Sequence, residues 1–175
     1  MRRLFPVVVA TLAVPLPVAA EDLQTAVLAG GCFWCVESDF DKVPGVVETL
    51  SGYAGGTTEN PTYKEVVRED TGHREVVQVT FDAEIVSRAE IYDLFLRSID
   101  PLDAGGQFCD RGFSYSTAIF AADGADSAVA ATEIAEAEAE LGQEIVTEIV
   151  EGAVFWPAEE YHQDFYKKSA LRYKP

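Results

Sequence analysis

Basic residues are scarce in this sequence: 13 Lys and Arg stand against 30 Asp and Glu, a formal charge of −17 over 175 residues. Such a chain is a poor partner for nucleic acid or an anionic membrane surface, whose phosphates repel it. The acidity is most simply read as solubility in an open medium. Long apolar runs are missing too. The run over residues 4–16 is broken by Pro6 and Pro15, whereas about 20 apolar residues are needed to span a bilayer. Histidine is limited to His73 and His162, and cysteine to Cys32, Cys35 and Cys109. At these irregular distances they do not give the paired spacing of a zinc site, so no metal is expected. No internal repeat or low-complexity linker interrupts the chain, and 48% hydrophobic residues suffice for one globular domain with a real core.

What the first 20 residues do contain is Met1-Arg2-Arg3, the short apolar run, and then Pro17-Val18-Ala19-Ala20 ahead of Glu21-Asp22. This is the pattern of a secretory signal peptide. Cleavage after Ala20 leaves residues 21–175 as the mature domain, with 11 basic and 30 acidic residues and a formal charge of −19. The mature protein is then expected outside the cytoplasm, in a periplasm or secreted. Three cysteines are an odd number for an exported chain, which points to a reactive thiol or an exchanging pair rather than a closed set of staples.

The rest of the sequence is organised around Gly30-Gly31-Cys32-Phe33-Trp34-Cys35. Thr25 to Ala29 reads as a strand, and Phe33, Val36, Phe40 and Val43 mark one face of a helix, so Cys32 sits at a strand-to-helix junction. Unpaired N–H groups and about half a positive charge at a helix N-terminus favour thiolate over thiol, which predicts a nucleophile at Cys32. Cys35 is placed to capture whatever forms there. Side chains three apart on a regular helix have Cβ atoms roughly 5–6 Å apart and a disulfide wants about 3.5–4.5 Å, so closure requires a first turn that distorts. Half a zinc site and an inert pair are the plainer readings of this spacing.

Further along, Val46 to Tyr53 reads as a strand ending at Ala54-Gly55-Gly56, and Asn60 and Pro61 as the start of a short helix. Arg74 to Asp82 is the clearest alternating run, with His73, Glu75, Val77, Val79 and Phe81 on one face. A carboxylate on that face is either at an edge and hydrated or held in a desolvated pocket. Ser87 caps a helix to about Ser98, with Ile91, Leu94, Phe95 and Ser98 buried. The segment from Pro101 to Gly112 has no regular pattern. Tyr115 to Ala121 reads as a strand, Asp126 to Leu141 as a helix with Ala130, Ile134, Ala137 and Leu141 inward, Glu144 to Val150 as a strand, and Pro157 to about Lys168 as a last helix. This order predicts α/β or α+β: one domain with a mixed sheet flanked by helices, a two-layer sandwich.

The ordered segments GGCFWC, PGV, GYAGG, NPTY, TGHREVV, FD, DPLDAGGQFCDRG and AEEYHQDF, spread over residues 30–166, resemble the type A peptide methionine sulfoxide reductases. The resemblance implies reduction of methionine S-sulfoxide, free or in proteins and peptides, by an enzyme without metal or organic cofactor. Cys32 would be the nucleophile and pass through a sulfenic acid to a disulfide, reset by a thioredoxin-like dithiol. Such chemistry needs a proton for the departing oxygen. Glu75, on an apolar face near an incipient thiolate, is the natural donor. Carried over by motif, Tyr63 and Tyr115 bind the sulfoxide oxygen, Asp110 is their acidic partner, and Phe33 and Trp34 hold the methyl group. Phe33 also fits a core position, and His73 and His162 are expected in supporting roles. Many relatives have glycine in place of Cys35 and recycle through a C-terminal tail, but here no cysteine follows Cys109. Resolution therefore falls to Cys35, with Cys109 as a second resolving thiol. Many also carry arginine at the position of Ser116, so anchoring of the substrate main chain differs. A monomer is expected. Two other classes fit the CxxC alone: a general thiol-disulfide oxidoreductase, and an exported domain with a static bridge.

Overall fold

The computed structural model describes residues 22–169; the signal peptide expected over residues 1–20 lies outside them. The order of elements is β1 (Leu23–Ala29), α1 (Phe33–Phe40), β2 (Val46–Ala54), α2 (Tyr63–Val66), β3 (Arg74–Asp82), α3 (Arg88–Ser98), β4 (Gly106–Gln107), β5 (Asp110–Arg111), a 3₁₀ turn (Phe113–Tyr115), β6 (Ala118–Ala121), α4 (Gly124–Leu141), β7 (Glu148–Glu151), β8 (Trp156–Pro157) and α5 (Phe165–Lys168). Six strands form one sheet in the order β7-β6-β1-β3-β2-β8. All pairs are antiparallel except β6 with β7, so the sheet is mixed as expected.

Alternation along the strands sorts side chains into two layers. Leu28, Tyr53, Val77, Val79, Phe81 and Ile119 pack with Phe33, Val36 and Phe40 of α1, Ile91, Tyr92 and Phe95 of α3, and Ala130 of α4. The other face, with Ala29, Ala54, Val76, Ala118 and Phe120, is covered by Val150, Ala153 and Phe155 rather than by a helix. The molecule is therefore a two-layer α+β domain.

The central strands place the chemistry. β1 runs antiparallel to β3 with Leu28 opposite Val77, so the turn after β1 lies against the start of β3, where Glu75 faces α1. Tyr53 of β2 is the cross-strand partner of Glu75 and shares its face. The turn itself depends on Gly31. Its φ is +85°, and a Cβ there would sit 2.5 Å from Cβ of Gln107, so both conformation and space exclude a side chain.

Several boundaries differ from the sequence expectation, each for a local reason. The short helix is capped by Thr62, whose capping box with Glu65 outcompetes Asn60, itself left-handed at φ +47°. On α3 the buried residues are Ile91, Tyr92, Phe95 and Leu96, while Leu94 is exposed, because the helix packs against α4 as well as the sheet and the Tyr92 hydroxyl reaches Asp126 at 2.5 Å. Asp123 caps α4 by accepting the N–H groups of Ala125 and Asp126, which starts the helix early; its last residue, Leu141, is exposed. The patternless segment holds the β4–β5 hairpin. Tyr115 ends a 3₁₀ turn and the strand begins only at Ala118, since the Ser116 N–H and hydroxyl both return to the Phe113 carbonyl. β7 starts at Glu148 rather than Glu144. The last helix shrinks to Phe165–Lys168 because the chain before it bonds to the sheet instead. Trp156 and Pro157 pair with β2, and the Gln163 amide both accepts the Ser51 N–H and donates to its carbonyl at 2.9 Å.

Candidate active site

Cys32 is the N-cap residue of α1, with φ −57° and ψ 117° and no capping bond from its side chain. Its carbonyl accepts the N–H of Cys35 at 3.0 Å, so the first turn is tight and brings the two thiols into hydrogen-bonding contact. None of Cys32, Cys35 and Cys109 is disulfide-bonded in this structure. Cys109 is exposed at the turn of the β4–β5 hairpin, beside Phe108, while the partner of the Cys32 thiol is Cys35.

Glu75 is 2% exposed, so of its two possible environments it occupies the desolvated one. One oxygen accepts the Phe33 N–H at 3.0 Å, which uses the first free amide of α1 to hold the carboxyl beside the thiols. Burial raises its pKa to about 8; the Phe33 amide opposes this, the negative charges of Asp110 and Cys35 add to it, and a hydrogen bond from Tyr115 lowers it. At neutral pH Glu75 carries a proton. The same neighbourhood opposes the helix terminus at Cys32. Sharing of its proton with Cys35, then burial, then the charge of an ionised Glu75 push the Cys32 thiol far up, against a lowering contribution from the Trp34 amide. The helix terminus loses to side chains that converge from elsewhere, and resting Cys32 is a thiol.

Two phenols complete this side. Tyr63, first residue of α2, and Tyr115, last of the 3₁₀ turn, hydrogen-bond to one another, and burial followed by the charge of Glu75 raises the pKa of both. They keep their protons and remain donors. Asp110 of β5 acts electrostatically on Glu75, Tyr63 and Tyr115, so it belongs to the same cluster. Ser116 stands outside it. Its hydroxyl accepts from Nε of Arg74 at 2.7 Å, and that guanidinium lies over the Phe113 ring and against Glu148.

The opposite wall is aromatic. Phe33 is buried between Trp34, Tyr53, Tyr63 and His162, with ring centroids 5.0 to 6.4 Å apart, and Trp34 stacks on Phe165 at 3.9 Å and 14°. His162 is 2% exposed amid four rings, and burial lowers its pKa, so it is neutral packing at the centre of this wall. His73 does other work: Nδ1 accepts the Gly56 N–H at 3.1 Å and Nε2 lies 2.8 Å from the Thr58 carbonyl, which braces the loop leading to Tyr63.

Two carboxyls were given no role by sequence reasoning. Glu159 accepts from the Tyr63 N–H at 3.1 Å and the Tyr53 hydroxyl at 2.9 Å, so it positions both tyrosines; burial works against its charge, but these donors and its own N–H hold its pKa below the usual range. Glu37, buried on α1, is the other. Its place four residues after Phe33, between Val36 and Phe40, was the available signal. Cavities of about 380 Å³ lie elsewhere, behind Gly55 to Glu59 and between α3 and α4, and are lined by neither a thiol nor Glu75.

A thiol pair on a helix start, a buried acid that keeps its proton, two phenol donors and an aromatic wall define a thiol-dependent reductase site for a small group with one proton-accepting atom and an apolar flank. A family model described as peptide methionine sulfoxide reductase matches residues 24–175, and the chain belongs to that family. It is 56% identical over 158 residues to peptide methionine sulfoxide reductase MsrA 2 of Rhizobium meliloti, across 90% of this chain and 79% of that one. Among solved structures it is similar to Mxr1 from Saccharomyces cerevisiae in reduced form, with a TM-score of 0.81 and 32% identity over 87% of this chain and 88% of the other. The same yeast protein in complex with Trx2 aligns at a TM-score of 0.55 and 24% identity, over 82% and 84% of the two chains, which is a likeness of fold.

Proposed function

We propose that this protein reduces methionine S-sulfoxide, free or in peptides and proteins, to methionine outside the cytoplasm. The observation that carries the reading is the contact between the two thiols at the start of α1 next to a buried, protonated Glu75 tied to the Phe33 amide.

The sulfoxide methyl rests against Phe33 and Trp34, and the oxygen receives hydrogen bonds from Tyr63, Tyr115 and Glu75. Protonation of that oxygen makes the sulfur electrophilic. Cys32 attacks sulfur while Glu75 gives its proton to oxygen, and the Cys32 proton replaces the one Glu75 loses. Neither group is then charged beside the other for long, which fits a site that raises the pKa of both. The hydroxyl passes from the methionine sulfur to the Cys32 sulfur as the S–O bond to methionine breaks, and the transient bond between the two sulfurs cleaves with its electron pair going to methionine, which leaves; the net change is thiol plus sulfoxide to Cys32 sulfenic acid plus thioether. Cys35 next displaces water from the sulfenic acid and closes the disulfide. An external dithiol restores both thiols by exchange. Yeast Mxr1, solved with Trx2, supports a thioredoxin-like reductant. The signal pattern over residues 1–20 supports export.

The test is a stereospecific assay on purified protein with dithiothreitol as reductant. Methionine should form from the S-sulfoxide and not from the R-sulfoxide. Turnover of disulfides without turnover of either sulfoxide would instead mark a general thiol-disulfide oxidoreductase.

A further inference from the structure

Glu37 is 1% exposed and takes no part in the chemistry above. Its Oε1 accepts the N–H of Asp164 at 2.9 Å, and its Oε2 is buried without a hydrogen-bond partner. Asp164 is left-handed at φ +52°, a conformation uncommon for a residue with a side chain. The next residue, Phe165, supplies the ring stacked on Trp34. One turn beyond Glu37, Asp41 accepts the Tyr166 hydroxyl at 2.6 Å and pairs with Nζ of Lys167 at 2.5 Å. Trp34, Glu37 and Asp41 lie three and four residues apart and so on one face of α1. The segment around Asp164 is thus strapped along the helix whose first turn carries Cys32 and Cys35.

We propose that Glu37 is a positioning residue for the methyl pocket: it pins the Asp164 amide, and through it the Phe165 ring that holds the Trp34 indole in place. The inference rests on the proposed sulfoxide reduction only for what the pocket binds. A protonated carboxyl suits this position, since its carbonyl oxygen accepts the Asp164 N–H while no buried charge is left uncompensated. Burial raises the Glu37 pKa to about 7, with the Asp164 amide opposing, the charges of Asp164 and Asp41 adding and Lys167 opposing. His162 and Glu159 belong to the same C-terminal stretch, Glu75 faces the far end of α1, and Thr49 of β2 engages Asp41 rather than Glu37. With the strap released, Glu37 returns toward its ordinary value of 4.5. The docked form therefore holds the proton more tightly, so docking weakens as pH rises between these two values and levels off above about 7.

The strap is read without turnover in Trp156→Phe protein, where Trp34 is the remaining tryptophan. Its emission should change between about pH 5 and pH 7 as Glu37 ionises, and the change should vanish in Glu37→Gln, which accepts the Asp164 N–H but cannot ionise. Glu37→Ala removes the acceptor and should raise KM for methionine sulfoxide several-fold at nearly unchanged kcat, while Glu37→Gln keeps a low KM up to about pH 8. Persistence of the emission change in Glu37→Gln would assign it to His162 and overturn the proposal. So would a wild-type KM in folded Glu37→Ala. Should the protein prove inactive on sulfoxide, the emission arm still decides whether Glu37 holds the strap.

Discussion

Cys32→Ser should lose sulfoxide reduction by a factor on the order of 10⁴ or more, with the fold intact. The two halves of this expectation have separate origins. Cys32 is an N-cap residue whose thiol makes no capping bond, and serine is among the residues preferred at that position, so α1 should be held at least as well. The chemistry fares differently. Oxygen transfer requires an atom that attacks sulfur and then carries the oxygen as a species a second thiol can displace, and a hydroxyl does neither. Release of methionine from S-sulfoxide in the presence of dithiothreitol checks the rate, and the thermal midpoint checks the fold. Residual turnover above a trace would move the nucleophile to another cysteine.

Glu75→Gln should lower the rate on the order of 10²–10⁴-fold, the usual contribution of a positioned proton donor. Glutamine can keep the bond to the Phe33 amide through its carbonyl oxygen, so the thiols need not move. It cannot deliver a proton. In the wild-type enzyme the rate should be flat below about pH 7 and decline tenfold per unit above about pH 8, as Glu75 loses its proton. That decline should be missing from the residual rate of the variant. Stability gives an independent sign. The folded state keeps on Glu75 a proton that the unfolded chain has released above 4.5, so wild-type stability falls as pH rises from there to about 8 and is level beyond. Glu75→Gln removes that loss and should be the more stable protein at pH 8, by a few kcal/mol at most. A less active, more stable variant is the signature of a carboxyl kept for chemistry; an unchanged single-turnover rate from pH 6 to 8 would show that the proton comes from elsewhere.

Cys32 and Glu75 were the most legible parts of the site, because each is announced by a local pattern. A strand, two glycines and a helical stripe locate Cys32, and period-two alternation alone puts Glu75 on the buried face. Tyr63, Tyr115 and Asp110 come from a short helix, a 3₁₀ turn and a hairpin, segments with no periodicity that points to a common place. Their meeting beside Glu75 followed only from the resemblance. The protonation state of Cys32 is not legible from local rules, since it depends on Cys35 and Glu75 at hydrogen-bonding and Coulombic range as well as on the helix terminus. The chain after β8 was the least legible. Gln163 and Glu159 spend their side chains on Ser51, Tyr53 and the Tyr63 amide, and these tertiary bonds take the place of the first turns of the helix that the sequence pattern starts at Pro157.

The order of events at Cys32 is tested most directly by adding one equivalent of methionine S-sulfoxide to reduced Cys109→Ser protein, without reductant, then alkylating free thiols and mapping the peptides by mass spectrometry. One equivalent of methionine and a Cys32–Cys35 disulfide are expected, because the two thiols share the tight first turn of α1 and closing so short a loop has little entropic cost. Methionine formed together with an unresolved Cys32 sulfenic acid would contradict this assignment and make Cys109 the resolving thiol.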